Sequence, residues 1–209
     1  MLQNHLRQGC RQVGRALREP EDFAWQWHQG QRQYAVAVWL ALGLTAALGT
    51  TVYGMTMGLR AGLPAILQKG LLLTLAAGVA WAIPLPALYI FNSLGGSRLR
   101  ASTTLLAALV TTSWGGLALI ASVPINWLFA VAIDDAAGLL PAGLARQAPG
   151  LVVLAINLLV FAGVGFSMVD VFGRVVERLE PGRHQQPHWF LVLVGAIGAQ
   201  LCYLLGLFA

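Results

Sequence analysis

Five apolar runs constrain this chain more than any other feature. They extend roughly from Tyr34 to Leu59, Leu71 to Leu94, Ala101 to Val123, Gly150 to Val169, and His188 to Phe208. A helix crosses the hydrocarbon core of a bilayer with about 20 such residues. Lipid offers no partner to a backbone N–H or C=O, so a spanning segment must be a helix or part of a closed barrel. Barrel strands alternate apolar and polar residues, and these runs do not. The expectation is an all-α, polytopic membrane helix bundle with about five transmembrane helices over residues 34–209, preceded by a polar segment, residues 1–33. After Pro124 the apolar stretch of residues 125–133 is too short to span. It either prolongs the third helix beyond a proline kink or lies in the interface. An odd number of spans argues against a simple two-fold repeat of the transporter kind.

Charge sets the orientation. Charged types make up only 10% of the chain, and the net charge of +5 rests on 12 Arg and one Lys, Lys69. The basic residues lie in short connections between apolar runs, which speaks for topology and against nucleic acid as a partner. Arg7, Arg11, Arg15, Arg18, Arg32, Arg98, Arg100, Arg174, Arg178 and Arg183 fall on one side, and Arg60, Lys69 and Arg146 on the other. The positive-inside rule puts the larger group, and with it the N-terminus, in the cytoplasm, and the C-terminus outside. Asp134 and Asp135 then form a solvated loop end outside. The Arg bias with heavy Ala, Leu and Gly points to a GC-rich bacterium, hence its inner (cytoplasmic) membrane. The first 33 residues are polar, so no cleavable signal peptide is expected. Cys10 lacks the preceding apolar run of a lipidation site. Cys10 is expected on the cytoplasmic surface and Cys202 in the outer half of span five, too far apart for a disulfide.

On a helical wheel Leu2, Leu6, Cys10, Val13 and Leu17 share one arc, and Arg7, Arg11, Arg15 and Arg18 share another. Pro20 breaks this amphipathic helix or starts a new one, with Glu19 as a weak cap and Glu21 and Asp22 in the favourable first turn. Trp25 and Trp27 follow at a place suited to the headgroup zone. Two readings stand. In one, Arg7, Arg11, Arg15, Arg18, Trp25 and Trp27 form a cytoplasmic surface for anionic lipid or a protein partner. In the other, the apolar stripe packs on the ends of the transmembrane helices.

Within the spans the polar residues are mild: Thr45, Thr50, Thr51, Thr74, Thr111, Thr112, Ser113, Asn157, Ser167 and Gln200. They suit hydrogen bonding between helices. No charged or His residue sits near the middle of a span, which weakens an ion-coupled transporter. Asp170 precedes Arg174 by four residues, the spacing of a helical ion pair. Beyond it Val171, Phe172, Val175, Val176 and Leu179 share one face and Arg174, Glu177 and Arg178 the other, so the fourth helix continues into the cytoplasm until Glu180-Pro181-Gly182 ends it. His184 and His188 are ordinary loop histidines without further ligands at metal spacing. Gly54 and Gly58 form a GxxxG, and Gly195-Ala199 and Gly198-Cys202 are small-xxx-small pairs that permit close helix contact. No hydrolase, metalloprotease or P-loop signature occurs, so neither catalysis nor a cofactor is expected.

Pro84 and Pro86 lack N–H groups, freeing the carbonyls of Ala80 and Ala82. The expectation is a kink near residues 80–84. Since Gly95-Gly96-Ser97 reads as a tight turn, spans two and three should run side by side. Thr111, Thr112 or a water would then bond a freed carbonyl, and the Trp114 indole would lie on the bare backbone of Gly78.

The stretch Leu85-Pro86-Ala87-Leu88-Tyr89-Ile90-Phe91-Asn92-Ser93-Leu94-Gly95-Gly96-Ser97-Arg98-Leu99-Arg100-Ala101-Ser102-Thr103-Thr104-Leu105 resembles the Gly-rich, basic connection between two spans in bacterial proteins of the Yip family, the Rab-interacting-protein membrane family. The resemblance covers mainly residues 70–125. It implies a non-enzymatic protein of about five spans with a cytoplasmic N-terminus. The resulting expectation is a non-catalytic membrane scaffold or accessory subunit, with a protein partner or a second copy of itself. The rival is a small channel or transporter subunit with a wet pathway along its threonine faces.

Overall fold

In the computed structural model the chain is described over residues 11–94, 96–137, 142–182 and 188–207; Arg7, Cys10, Gly95, Arg183 and His184 lie outside them. The described residues are helical apart from short connections. Helix α1 covers residues 11–18. It is followed by α2 (Pro20–His28), α3 (Val36–Met57), α4 (Leu63–Ala82), α5 (Pro84–Leu94), α6 (Ala101–Ala137), α7 (Ala142–Leu179) and α8 (His188–Leu204). Among the described residues, four helical stretches are long and apolar enough to cross a membrane: Val36–Met57, Leu63–Leu94, Ala101–Phe129 and Gly150–Leu179. The fifth apolar run forms α8, whose 17 residues extend about 25 Å at 1.5 Å per residue.

Helix boundaries follow the local chemistry. Pro20 occupies the first turn of α2 with Glu21 and Asp22, where a missing N–H is harmless and negative charge is favoured. Glu19 makes no side-chain cap there; its carboxylate lies 3.7 Å from Arg15 instead. The two prolines of the second span end α4 at Ala82 and open α5 at Pro84, leaving Ile83 between them. Pro124, in contrast, sits inside a 37-residue α6. Residues 125–133 therefore extend the third helix, and Asp134 and Asp135 belong to that helix and not to a loop.

The helices sort into a ring. Helix α3 packs on α4 and α6, α6 also packs on α7, and α8 packs on α4 while touching α7 lightly. Close approach is made possible by glycine. A Cβ at Gly54 would stand 2.7 Å from the Lys69 carbonyl, and one at Gly58 would stand 2.6 Å from the backbone of Ile66. The GxxxG thus joins α3 to α4 within one chain. Gly49 of α3 and Gly116 of α6 lie backbone to backbone in the same way.

Hydroxyls stitch the same seams. Thr74 of α4 lies 3.2 Å from the Thr50 hydroxyl and 2.7 Å from that of Thr51. Ser113 of α6 lies 2.7 Å from the Leu42 carbonyl of α3. The Trp114 indole of α6 donates to the Ser167 hydroxyl of α7 at 2.7 Å. Part of the mild polarity of the spans thus joins helix to helix, while Thr45, Thr111 and Thr112 bond carbonyls of their own helices.

Spans two and three are not neighbours as the turn suggests. Helices α4 and α6 hardly meet, because α3 is packed against both. Thr111 donates to the carbonyl of Ala107 and Thr112 to that of Leu109, both in their own helix. A hydroxyl has one proton, so neither serves Ala80 or Ala82. Pro84 and Pro86 interrupt the span, but Thr111 and Thr112 do not repair it. Nor does Trp114 cover Gly78: a Cβ there would meet nothing within 4 Å.

Candidate functional site

Three features stand out, at the two ends of the bundle and at its centre. The first is a platform built from the N-terminal segment. Phe23 and Ala24 of α2 and Ala16 of α1 are fully buried. Ala16 and Phe23 share a core cluster with Tyr34, Val38, Leu42, Leu106 and Val110, so the polar segment and the spans meet in one core. Tyr34 stacks on Phe23 with ring centroids 4.1 Å apart and donates its hydroxyl proton to the Phe23 carbonyl at 3.0 Å. Burial raises the Tyr34 pKa above its ordinary value, against the opposing pull of the Arg15 and Arg32 charges.

The end of α7 forms the other wall. Val171, Phe172, Val175, Val176 and Leu179 are buried and Arg174, Glu177 and Arg178 exposed, as their spacing predicts. Arg174 pairs with Asp170 at 3.2 Å, the expected i,i+4 pair, and reaches Glu21 of α2 at 3.0 Å. Arg178 contacts Asp22 at 3.1 Å and holds its guanidinium 5.3 Å from the centre of the Trp25 ring. Glu180 accepts the backbone N–H of Arg98 at 2.8 Å and lies 2.9 Å from the Ser97 hydroxyl. This ties the turn after α5 to the end of α7. Ten sequence positions expected on one side therefore include several that the structure gathers: α1, α2, the Ser97-Arg98 turn and the end of α7.

Trp25 and Trp27 turn to protein. Trp25 packs beside the Val175 cluster, and Trp27 stacks on Tyr34 and meets Trp39 edge-on at 5.3 Å. Of the stripe expected to face lipid or the helix ends, Val13 packs into the Phe23 cluster. Arg11 and Arg18 are exposed and Arg15 is half-buried.

The opposite end holds a polar group of residues that hydropathy alone did not flag. The Tyr53 hydroxyl donates to Asn157 Oδ1 at 2.8 Å, and the Asn126 amide donates to Thr56 Oγ1 at 2.6 Å. All four side chains are buried. Asn126 was readable only as one amide in an apolar stretch. Cys202 and Leu207, from the end of α8, share the cluster around Tyr53 and Leu73. The last helix thus runs from the platform end to the Tyr53 end.

Between the two ends the helices leave a half-open cavity of about 770 Å³ lined by α3 to α8. The wall is almost wholly apolar, with Trp81 and Phe161 among its aliphatic residues, and its hydroxyls at Thr50, Thr74 and Thr112 are already bonded to protein. Gly43, Gly78, Gly165 and Gly195 line it, and a Cβ on any of them would meet nothing within 4 Å. The small-xxx-small pair Gly195-Ala199 is thus part of a cavity wall and not a tight helix contact.

Compared with known proteins, the chain matches no family model, no curated protein and no solved structure.

Proposed function

We propose that this chain is a five-span protein of a bacterial inner membrane, with its N-terminus in the cytoplasm and its C-terminus outside, acting as a non-catalytic scaffold or accessory subunit. The platform carries this reading. A polar, Arg-rich segment is held against the end of α7 by the Arg174–Glu21 and Arg178–Asp22 pairs, and so presents a fixed surface at one face of the bundle. Its exposed Arg11 and Arg18, with Arg98 and Arg100 nearby in sequence to the docked turn, suit anionic lipid or an acidic partner. The gathering of these segments at one end supports a cytoplasmic assignment by the positive-inside rule. The Gly-rich connection resembling the Yip family is in keeping with a non-enzymatic role.

Purification of the full-length protein in mild detergent tests the reading. A stoichiometric protein partner, lost when Arg11 and Arg18 are replaced by Glu, supports the scaffold. A homogeneous species without partner, whose reconstitution conducts ions, refutes it and leaves the rival channel or transporter subunit. The apolar wall of the central cavity suits an apolar occupant better than an ion, and this weighs against the pore.

A further inference from the structure

We infer that the central cavity holds one extended acyl chain of a membrane phospholipid, admitted from the bilayer between α7 and α8. The inference rests on the spans lying in a bilayer and adds a ligand to them. Three observations choose the occupant.

Dimension comes first. The cavity wall on α6 runs from Leu105 to Leu119. That is about 21 Å along a helix axis. Spread over this length, 770 Å³ leaves a mean cross-section of roughly 37 Å² for the centres of a guest's atoms, a groove roughly 10 Å wide between wall surfaces once about 1.4 Å is added on each side. A helix with its side chains is about 10–12 Å across, so a partner's transmembrane helix does not fit. A slender chain does.

Chemistry comes second. The wall offers apolar side chains and bare backbone, with the threonine hydroxyls engaged elsewhere in the protein. A headgroup inside would lose its hydrogen bonds to water and find no replacement. The occupant is therefore hydrocarbon along the whole groove, with its polar end left outside. Gly78, Gly165 and Gly195 keep the bore open. A glycine weakens a helix unless its bare surface is used. At Gly49, Gly54 and Gly58 another helix uses it; at these three positions only the cavity does.

Access comes third. Helices α7 and α8 touch lightly, unlike the tightly packed α3–α4, α3–α6 and α6–α7 seams. Leu158 and Ala162 on α7 and Gly195 and Ala199 on α8 line the cavity and are exposed. Lipid at this seam has a lateral route inward.

The test uses full-length protein extracted in mild detergent, with bound lipid quantified per mole by mass spectrometry. Wild type is compared with the double variant Gly165→Leu, Gly195→Leu, which fills the bore, and with Gly163→Leu. Gly163 is on the same helix, exposed, with open space at its Cβ and away from the cavity wall. Wild type and Gly163→Leu should retain about one phospholipid per chain, and the double variant at least tenfold less. Equal retention in all three, or recovery of a polyisoprenoid or free fatty acid in place of phospholipid, would overturn the proposal. A second measurement holds if the double variant does not fold. In vesicles of phosphatidylglycerol with brominated acyl chains, the emission lost in Trp81→Phe should be the strongly quenched part, since Trp81 lines the bore. Quenching of that emission by acrylamide and not by the brominated chains would mean a wet cavity and also sink the idea. Neither failure bears on the topology reporters described below, so the two readings fail separately.

Discussion

Alanine at Gly49 and alanine at Gly43 are the same chemical change in the same helix, and they should have opposite effects. A Cβ at Gly49 would lie directly against the carbonyl group and Cα of Gly116, whereas one at Gly43 meets nothing within 4 Å. Both substitutions gain the helix preference of Ala over Gly, about 1 kcal/mol. That gain cancels in the comparison, leaving the overpacking at Gly49, typically about 1–3 kcal/mol. The obstacle is backbone, which cannot rotate aside as a side chain can, so the upper half of that range is expected. Gly43→Ala should stabilise by up to about 1 kcal/mol and Gly49→Ala should destabilise by about 1–2 kcal/mol. Reversible unfolding in mixed micelles by a denaturing detergent measures both. Equal shifts for the two variants would show that α3 and α6 do not approach at Gly49 and Gly116, and would undo the ring of helices with it.

Three further outcomes are expected. A phosphatase active only outside, fused after Ala209, should be active, and a cytoplasm-only fluorescent reporter there dark; after Gly96 the pair should reverse, and fluorescence after Ala209 would mean a miscounted span. Reversing Arg178 to Asp should loosen α2 by up to about 1 kcal/mol, as for an exposed pair, and adding Asp22→Arg should restore protection of residues 20–28 from hydrogen exchange. No rescue would deny the pair any part in docking. Tyr34 has a folded pKa raised by burial, so its contribution is fully present below about pH 10, its unfolded value, and is lost as pH rises through the folded value. Alkaline pH should therefore release α2, read as a change in Trp27 emission, and Tyr34→Phe should abolish that transition while costing about 0.5–1.5 kcal/mol for the bond to Phe23. An unchanged alkaline profile in Tyr34→Phe would assign the release to another group.

What could be read from the chain, and what could not, divides along a physical line. Apolar runs, prolines and the α7 extension are local: Val171, Phe172, Val175, Val176 and Leu179 announce a buried face because the opposite face meets water. Inside a bilayer that contrast vanishes, since lipid tails and a protein interior are equally apolar. Leu40, Leu44 and Leu48 are exposed while Leu42 is fully buried, with no polarity difference to tell them apart. Neighbours therefore could not be inferred, and the turn at Gly96 misled: it suggested that α6 lies along α4. The cavity was illegible for a related reason. Gly43 and Gly49 look alike in sequence, yet one faces open space and the other a carbonyl. The difference lies in a partner helix far along the chain.

Helix α7 gives the molecule a mechanical property. Its 38 residues, Pro149 among them, run about 57 Å along the helix, nearly twice the ~30 Å hydrocarbon core. The α2 segment is riveted to one end of it by two arginines, while Tyr34 ties the same segment to α3. A rod so attached behaves as an oar. Rocking it by about 10° around its midpoint would sweep the riveted end by about 5 Å, and the arginine rivets and the tyrosine tether would be pulled in different directions. Spreading α7 from α8 would then be felt as shear beneath α2, on the surface that a partner would touch.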